Sequence, residues 1–255
     1  MPPAGIGVGG LSFWHLTGEW LDWHRSYDED PSMAQRLRVV QDRIVEALDR
    51  RPQGSVRVIS ACAGDGRDLL GALRDHPRAR DVLARLVELT PELVEAGRQR
   101  TRRAGLLGVE FVQGDASTSS AFAGAVPADI ALFCGIFGNV SDRDIRQSIR
   151  LLPELCARDA TVIWTRGRFE PDLTPTIRGW FADAGFTEVS FVTIDGSTKS
   201  VGAHRLTTSP KPFRPGIRLF TFLPFEKRPS TLAETRKDGG TGTPLLGERI
   251  VDDPP

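Results

Sequence analysis

The first sustained pattern along the chain is helical. In residues 33–49, MAQRLRVVQDRIVEALD, the apolar side chains Leu37, Val40, Ile44, Val45 and Leu48 recur at a spacing near 3.6 and form one stripe. The pattern then shortens to strand-sized apolar runs. These are Val56, Val58 and Ile59; then Leu86 and Val87; then Val109, Phe111 and Val112; then Ile130 to Cys134. Two later runs, FTEVSFVTI at 186–194 and GIRLFTFLP at 216–224, predict a closing pair of strands. Short apolar strands separated by helical segments predict an α/β sheet.

Each early strand ends in a residue suited to a ligand. After the first comes SACAGDG, in which Gly64 and Gly66 let the backbone approach a bound group where a Cβ would collide. Arg67, Asp68, Leu69 and Leu70 then open a helix. The turn alone is equally compatible with a plain strand-to-helix connection. The second strand ends in Glu88, 24 positions after Gly64, and Thr90-Pro91 starts the next helix as cap and first residue. An acid there can accept both hydroxyls of a ribose, or can simply be a solvated acid at a strand end. The third strand ends at Gly114-Asp115-Ala116. The fourth breaks at Gly135, with Gly138-Asn139 beyond. Four successive strands with glycine or acid at one edge make a joint signal that chance rarely produces.

On these residues the chain resembles a class I S-adenosylmethionine (SAM)-dependent methyltransferase over roughly residues 54–225. The resemblance implies a Rossmann-like seven-stranded sheet with helices on both faces and an antiparallel last strand. It also implies an N-terminal helical and aromatic cap. It places the methionine end of SAM on Ser60, Ala61, Cys62, Ala63, Gly64 and Gly66, with Arg67 and Asp68 at the helix start. It places the ribose on Glu88 beside Leu89, and the adenine on Asp115 and Ala116. The segment holding Cys134, Gly135, Ile136, Phe137 and Asn139 would lie under the sulfonium and face the acceptor. The chain departs from the family at Ser60, where an acid is common, and at Cys62, where the first of three alternate glycines is common. Ser60 accepts a hydrogen bond but cannot pair ionically with the SAM ammonium. A backbone carbonyl or Asp65 would take that role. The whole pattern is also similar to small-molecule methyltransferases of actinobacterial type, with a role in secondary metabolism.

Composition narrows the acceptor. Formal net charge is zero, with only Lys199, Lys211, Lys227 and Lys237 as lysines. Nucleic-acid binders usually carry a basic face, so a polynucleotide acceptor is disfavoured. No apolar run is long enough to predict a membrane span, and no basic-then-apolar leader opens the chain. Cys62, Cys134 and Cys156 have no metal-ligand spacing and suit a reducing cytoplasm. A metal-assisted mechanism needs acids near the ends of strands four and five. CGI at 134–136 and WTR at 164–166 supply none. The Asn/Asp-Pro-Pro-aromatic turn associated with base amino-methylation is replaced by CGIFGN.

Residues 11–30 are the most aromatic stretch, with Phe13, Trp14, Trp20, Trp23 and Tyr27 beside His15 and His24. Trp14, Trp20 and Trp23, together with Phe137, Trp164 and His204, form the expected acceptor-binding set. The tryptophans equally suit docking of a cap onto the core. His24 is the expected base, since histidine titrates near neutrality, and Tyr27 the residue that positions the acceptor. Residues 195–215 read as a long loop carrying His204 and Arg205 toward the pocket mouth. As a lone histidine, His204 equally suits packing. The expected organisation is a lid at 1–50, a SAM-binding core at 51–225 and a polar tail at 226–255. The expected partner is a small apolar or aromatic methyl acceptor, such as an indole-type ring. The expected state is a cytoplasmic enzyme, possible as a homo-oligomer. The alternatives are a noncatalytic SAM-binding domain and an NAD(P)-dependent oxidoreductase. The oxidoreductase turn needs a third glycine where this chain has Leu69.

Overall fold

Asp30 starts the first helix, α1 (Pro31–Asp49), by accepting the Ser32 amide at 2.8 Å, with Pro31 at the first helical position. The apolar stripe then faces inward, with Val40, Ile44 and Leu48 buried and Leu37 and Val45 half-buried. The structure is a computed structural model and describes residues 30–229. After α1 come β1 (Val56–Ala61), α2 (Arg67–Leu73), β2 (Val82–Glu88), α3 (Pro91–Ala104), β3 (Val109–Gln113) and β4 (Ala128–Phe133). The chain continues with α4 (Asp142–Leu151), β5 (Cys156–Gly167), α5 (Thr174–Asp183), β6 (Phe186–Thr193) and β7 (Lys199–Leu206).

The seven strands form one sheet in the order β3-β2-β1-β4-β5-β7-β6. Strands β1 to β5 run parallel, and β7 lies antiparallel between β5 and β6. Side chains alternate between faces, as the strand period requires. Val58, Ile130, Leu132 and Ile163 point to one face, where they meet Ile44 of α1, Leu69 of α2 and Val94 of α3. Ile59, Ala131, Phe133, Val162 and Trp164 point to the other, against Ile145 of α4 and Phe181 of α5. Because both faces are covered, the strands read as near-continuous apolar runs. Each buried aliphatic side chain of this kind contributes about 1.5–3 kcal/mol. Helix α1 is therefore one of the layers that bury the sheet. Among the described residues no helix is long and apolar enough to cross a membrane.

The closing strand pair is corrected. The partner of β6 is residues 199–206, not 216–224, and a five-residue turn joins the two. KSVGAHRL was hard to read as a strand because Ser200 and His204 are polar, yet both are buried at 0% and 1% exposure. Residues 216–224 instead cross the loops at the carboxyl edge of the sheet. They touch the fold through single bridges, Thr118 to Arg218 and Val140 to Phe222. Leu219 and Phe220 are buried there without joining the sheet. The order reverses between β1 and β4, and in open α/β sheets a ligand crevice forms outside the carboxyl ends at such a switch point.

Candidate functional site

The glycine turn after β1 takes three alternate left-handed residues, Cys62 (φ 52), Gly64 (φ 58) and Gly66 (φ 75). Cys62 thus adopts the conformation of the missing glycine, at a cost of roughly 1–2 kcal/mol for a residue with a Cβ. Burial, then the charges of Glu88 and Asp115, push its thiol well above the usual cysteine range, so it stays protonated. Gly66 caps the start of α2. Its constraint is internal, because a Cβ there would sit 2.5 Å from the Phe111 ring and 3.0 Å from Leu86.

Glu88 closes this turn onto the next strand. One carboxylate oxygen accepts the Gly64 amide at 2.9 Å, and the other accepts the Leu89 and Thr90 amides, each at 2.9 Å. The group is 7% exposed and sits at the amino end of α3, where anions are favoured. A carboxylate has about four acceptor positions, so three backbone bonds leave room for a hydroxyl. Leu89 beside it is an exposed apolar side chain.

Asp115 forms the third corner. Its Oδ1 accepts the Ser117 amide at 2.9 Å and the Ser117 hydroxyl, and Arg218 Nη1 lies 3.0 Å from Oδ2. Burial alone would raise this carboxyl. The Ser117 bonds and the Arg218 charge outweigh it and hold the group below the usual carboxylate range. Asp115 and Arg218 are both about half-exposed, while Ala116 is buried. Residues 216–224 thus brace the loop after β3. The Leu219 amide donates to the Ser117 carbonyl at 2.8 Å.

After β4 the loop closes on itself. The Asn139 side chain donates to the Gly135 carbonyl at 2.7 Å, and its backbone amide donates to Ile136 at 2.8 Å. The Gly135 amide donates to Thr165 Oγ1 at 2.8 Å, joining the edges of β4 and β5. Cys134 is hydrogen-bonded to Asp68, which lies in the field of Arg36. Desolvation raises the Asp68 carboxyl against the pull of Arg36. Asp65 is engaged by Arg67 at 2.8 Å and Arg100 at 3.1 Å, so as an ammonium partner it already holds two cations.

Three expected acceptor contacts move into the core. Ile136 and Phe137 are fully buried, and Phe137 packs on Trp164 with ring centroids 5.8 Å apart. Trp164 is fully buried and lies against Gly202, where a Cβ would be 2.3 Å from the indole. Its Nε1 donates to His204 Nδ1 at 3.1 Å, and His204 stacks on Phe181 at 4.3 Å. Burial, aided by Arg178 and opposed by Glu188, pushes His204 down to about 4. It is a neutral core histidine, because β7 carries it into the sheet. His24, Tyr27, Trp14, Trp20 and Trp23 lie outside the described residues. Arg166, which the sequence shows only as a position without an acid, is buried at the end of β5. Its signal was a cation ending the apolar run of β5.

A family model described as "putative methyltransferase" matches residues 32–181. No curated protein matches the chain in sequence. Among solved structures, magnesium protoporphyrin IX methyltransferase from Synechocystis PCC 6803, determined with bound SAM, superposes with a TM-score of 0.54 at 13% identity. The match covers 78% of this chain and 86% of that one. An O-methyltransferase family protein from Burkholderia thailandensis matches with TM-score 0.52 and 19% identity over 78% and 71% of the two chains. N-methyltransferase NodS from Bradyrhizobium japonicum WM9 matches with TM-score 0.52 and 14% identity over 71% and 99%. At these identities the likeness is one of fold.

Proposed function

The chain belongs to the putative methyltransferase family, and on that premise we propose that it transfers a methyl group from SAM to a small, mainly apolar or aromatic acceptor. The observation that carries the cofactor assignment is the joined edge of β1, β2 and β3. There Glu88 locks the left-handed turn at 62–66 and keeps one acceptor position free, while Asp115 presents a half-exposed carboxylate. The residues fit the group. Ser60 to Gly66, with Arg67 and Asp68, border the methionine end, Glu88 and Leu89 the ribose, and Asp115 and Ala116 the adenine. Cys134, Gly135, Ile136 and Asn139 supply the backbone loop beneath the sulfonium. Their side chains are turned inward or used to close that loop. The turn keeps its geometry despite Ser60 and Cys62, which argues against a degenerate site.

When bound, SAM supplies an electrophilic methyl on its sulfonium. The protein then has to hold the acceptor atom in line behind that methyl. Such alignment contributes about 7–11 kcal/mol to lowering a barrier. Where the acceptor must lose a proton, His24 is the base we propose, with Tyr27 positioning the acceptor and Trp14, Trp20 and Trp23 stacking on it. A positioned base typically adds about 10²–10⁴-fold. The indole-type acceptor follows from the tryptophans at 14, 20 and 23, the cytoplasmic location from the cysteine usage, and actinobacterial secondary metabolism from the sequence resemblance.

Glu88 gives the test. S-adenosylhomocysteine should bind the full chain in the micromolar range, about −8 kcal/mol. Glu88→Gln keeps the shape but removes the charge, and should weaken binding at least tenfold in a protein with an unchanged circular dichroism spectrum. Unchanged affinity by calorimetry would remove Glu88 from the ribose site.

A further inference from the structure

Two arginines inside this fold have opposite fates. Arg78 spends all five N–H donors on the protein. Its Nη1 reaches the carbonyls of Leu48 (2.9 Å) and Arg51 (2.7 Å). Its Nη2 reaches those of Pro52 and Gly54 (both 2.9 Å), and its Nε reaches Asp81 (3.1 Å). This is the usual state of a buried guanidinium, since an unpaired buried donor costs about 1–3 kcal/mol or more.

Arg166 is more deeply buried, at 7% exposure, and is far from satisfied. Its Nη1 donates to the Phe137 carbonyl, and its Nε is enclosed with no acceptor. Among the described residues it forms no ion pair. The carboxylates that act on it, Asp142 and Asp172, do so from beyond contact distance. Arg168, two residues on, repeats the pattern. Its Nη2 donates to the Ser197 carbonyl at 3.0 Å and its Nε is enclosed without an acceptor.

The placement matters as much as the unmet donors. Arg166 ends β5 at the carboxyl edge of the sheet, beside the loop after β4. The Gly135 amide to Thr165 Oγ1 bond ties that loop to β5, and Arg166 itself holds the loop's Phe137 carbonyl. Glu88 and Asp115 belong to the β2 and β3 side of the same edge. The cation therefore stands across the switch point from the cofactor carboxylates, on the side left for the acceptor. A guanidinium presents a planar fork that matches a carboxylate with two parallel bonds.

We propose that Arg166, seconded by Arg168, receives a carboxylate carried by the methyl acceptor. The acceptor is then an aromatic or apolar acid. This rests on the methyltransferase reading above.

The test uses the full chain saturated with S-adenosylhomocysteine and a matched probe set of 2-naphthoate, 2-naphthamide and 2-naphthyl phosphate, titrated by calorimetry and ligand-observed NMR. Naphthoate should bind at least tenfold more tightly than the amide and more tightly than the phosphate. Arg166→Gln should abolish the acid-over-amide preference while leaving S-adenosylhomocysteine affinity and amide binding within about twofold. Arg166→Lys keeps the charge without the fork and should lose part of the preference. A purely structural role for Arg166 would instead lower the melting temperature and weaken all ligands together. Equal binding of acid and amide to the wild type overturns the proposal. So does a preference for the phosphate, or an acid preference that survives in folded Arg166→Gln. If both Arg166 variants unfold, the wild-type acid and amide affinities decide alone. A wild type that ignores S-adenosylhomocysteine refutes the methyltransferase reading instead, and the naphthoate titration repeated without it still judges the arginine site.

Discussion

The two halves of the carboxyl edge are built on opposite principles. On the side of β1, β2 and β3, the polar groups are already matched. Glu88 takes three backbone amides, and Asp115 takes Ser117 and Arg218. On the side of β4 and β5, the loop is closed by its own Asn139, the aromatic side chains are turned into the core, and Arg166 keeps its enclosed Nε without an acceptor. On the reading proposed above, the first half is a preformed frame for SAM. The second half holds enclosed guanidinium nitrogens with no acceptor among the described residues. A preorganised frame costs nothing to assemble at the moment of binding. An unmet cation selects what may enter beside it.

The first half should therefore be brittle. Gly66→Val meets both a left-handed backbone and the Phe111 ring 2.5 Å away, and should cost roughly 3 kcal/mol or more, enough to threaten folding. Gly138→Ala is the matched control, since a Cβ there meets nothing within 4 Å. Urea unfolding of the two variants checks the contrast. A folded Gly66→Val protein of near-wild-type stability would break the picture of an internally fixed turn.

Beneath the second half, His204 sets a pH signature. Its folded value, about 4, lies below the ordinary 6.5. Stability from its neutral form is fully present above pH 6.5 and drains away as pH falls toward 4. The loss is at most roughly 3 kcal/mol. His204→Gln should start less stable at neutral pH and show a flatter decline in urea midpoint between pH 7 and 4.5. Parallel declines in both proteins would show that His204 is not held neutral by the core.

This contrast explains what could be read from sequence. The frame was legible because its chemistry sits on short local signals: glycines at 64 and 66, an acid ending β2, an acid ending β3. The positions of the first four strands along the chain are legible from apolar runs that need no partner to be recognised. The other half was not legible in the same way. His204 and Ser200 disguised β7 as loop, because their burial depends on Trp164 and on the Arg166 carbonyl from another strand. Residues 216–224 alternate like a strand, yet Leu219 and Phe220 bury themselves beside loops that only the folded sheet brings there. Ile136 and Phe137 looked outward because a chain pattern cannot say which apolar loop residues the core will take. Arg166 matters only through what surrounds it, which no local spacing records.

A crystal structure of the full chain with S-adenosylhomocysteine decides whether the matched half of the edge is the SAM frame. A ribose hydroxyl is expected on the free acceptor position of the Glu88 carboxylate, the adenine beside Asp115 and Ala116, and the homocysteine moiety along residues 60–66, with Glu88 still holding the Gly64 amide. Ligand density elsewhere in the molecule, or a ribose turned away from an unmoved Glu88, would contradict it.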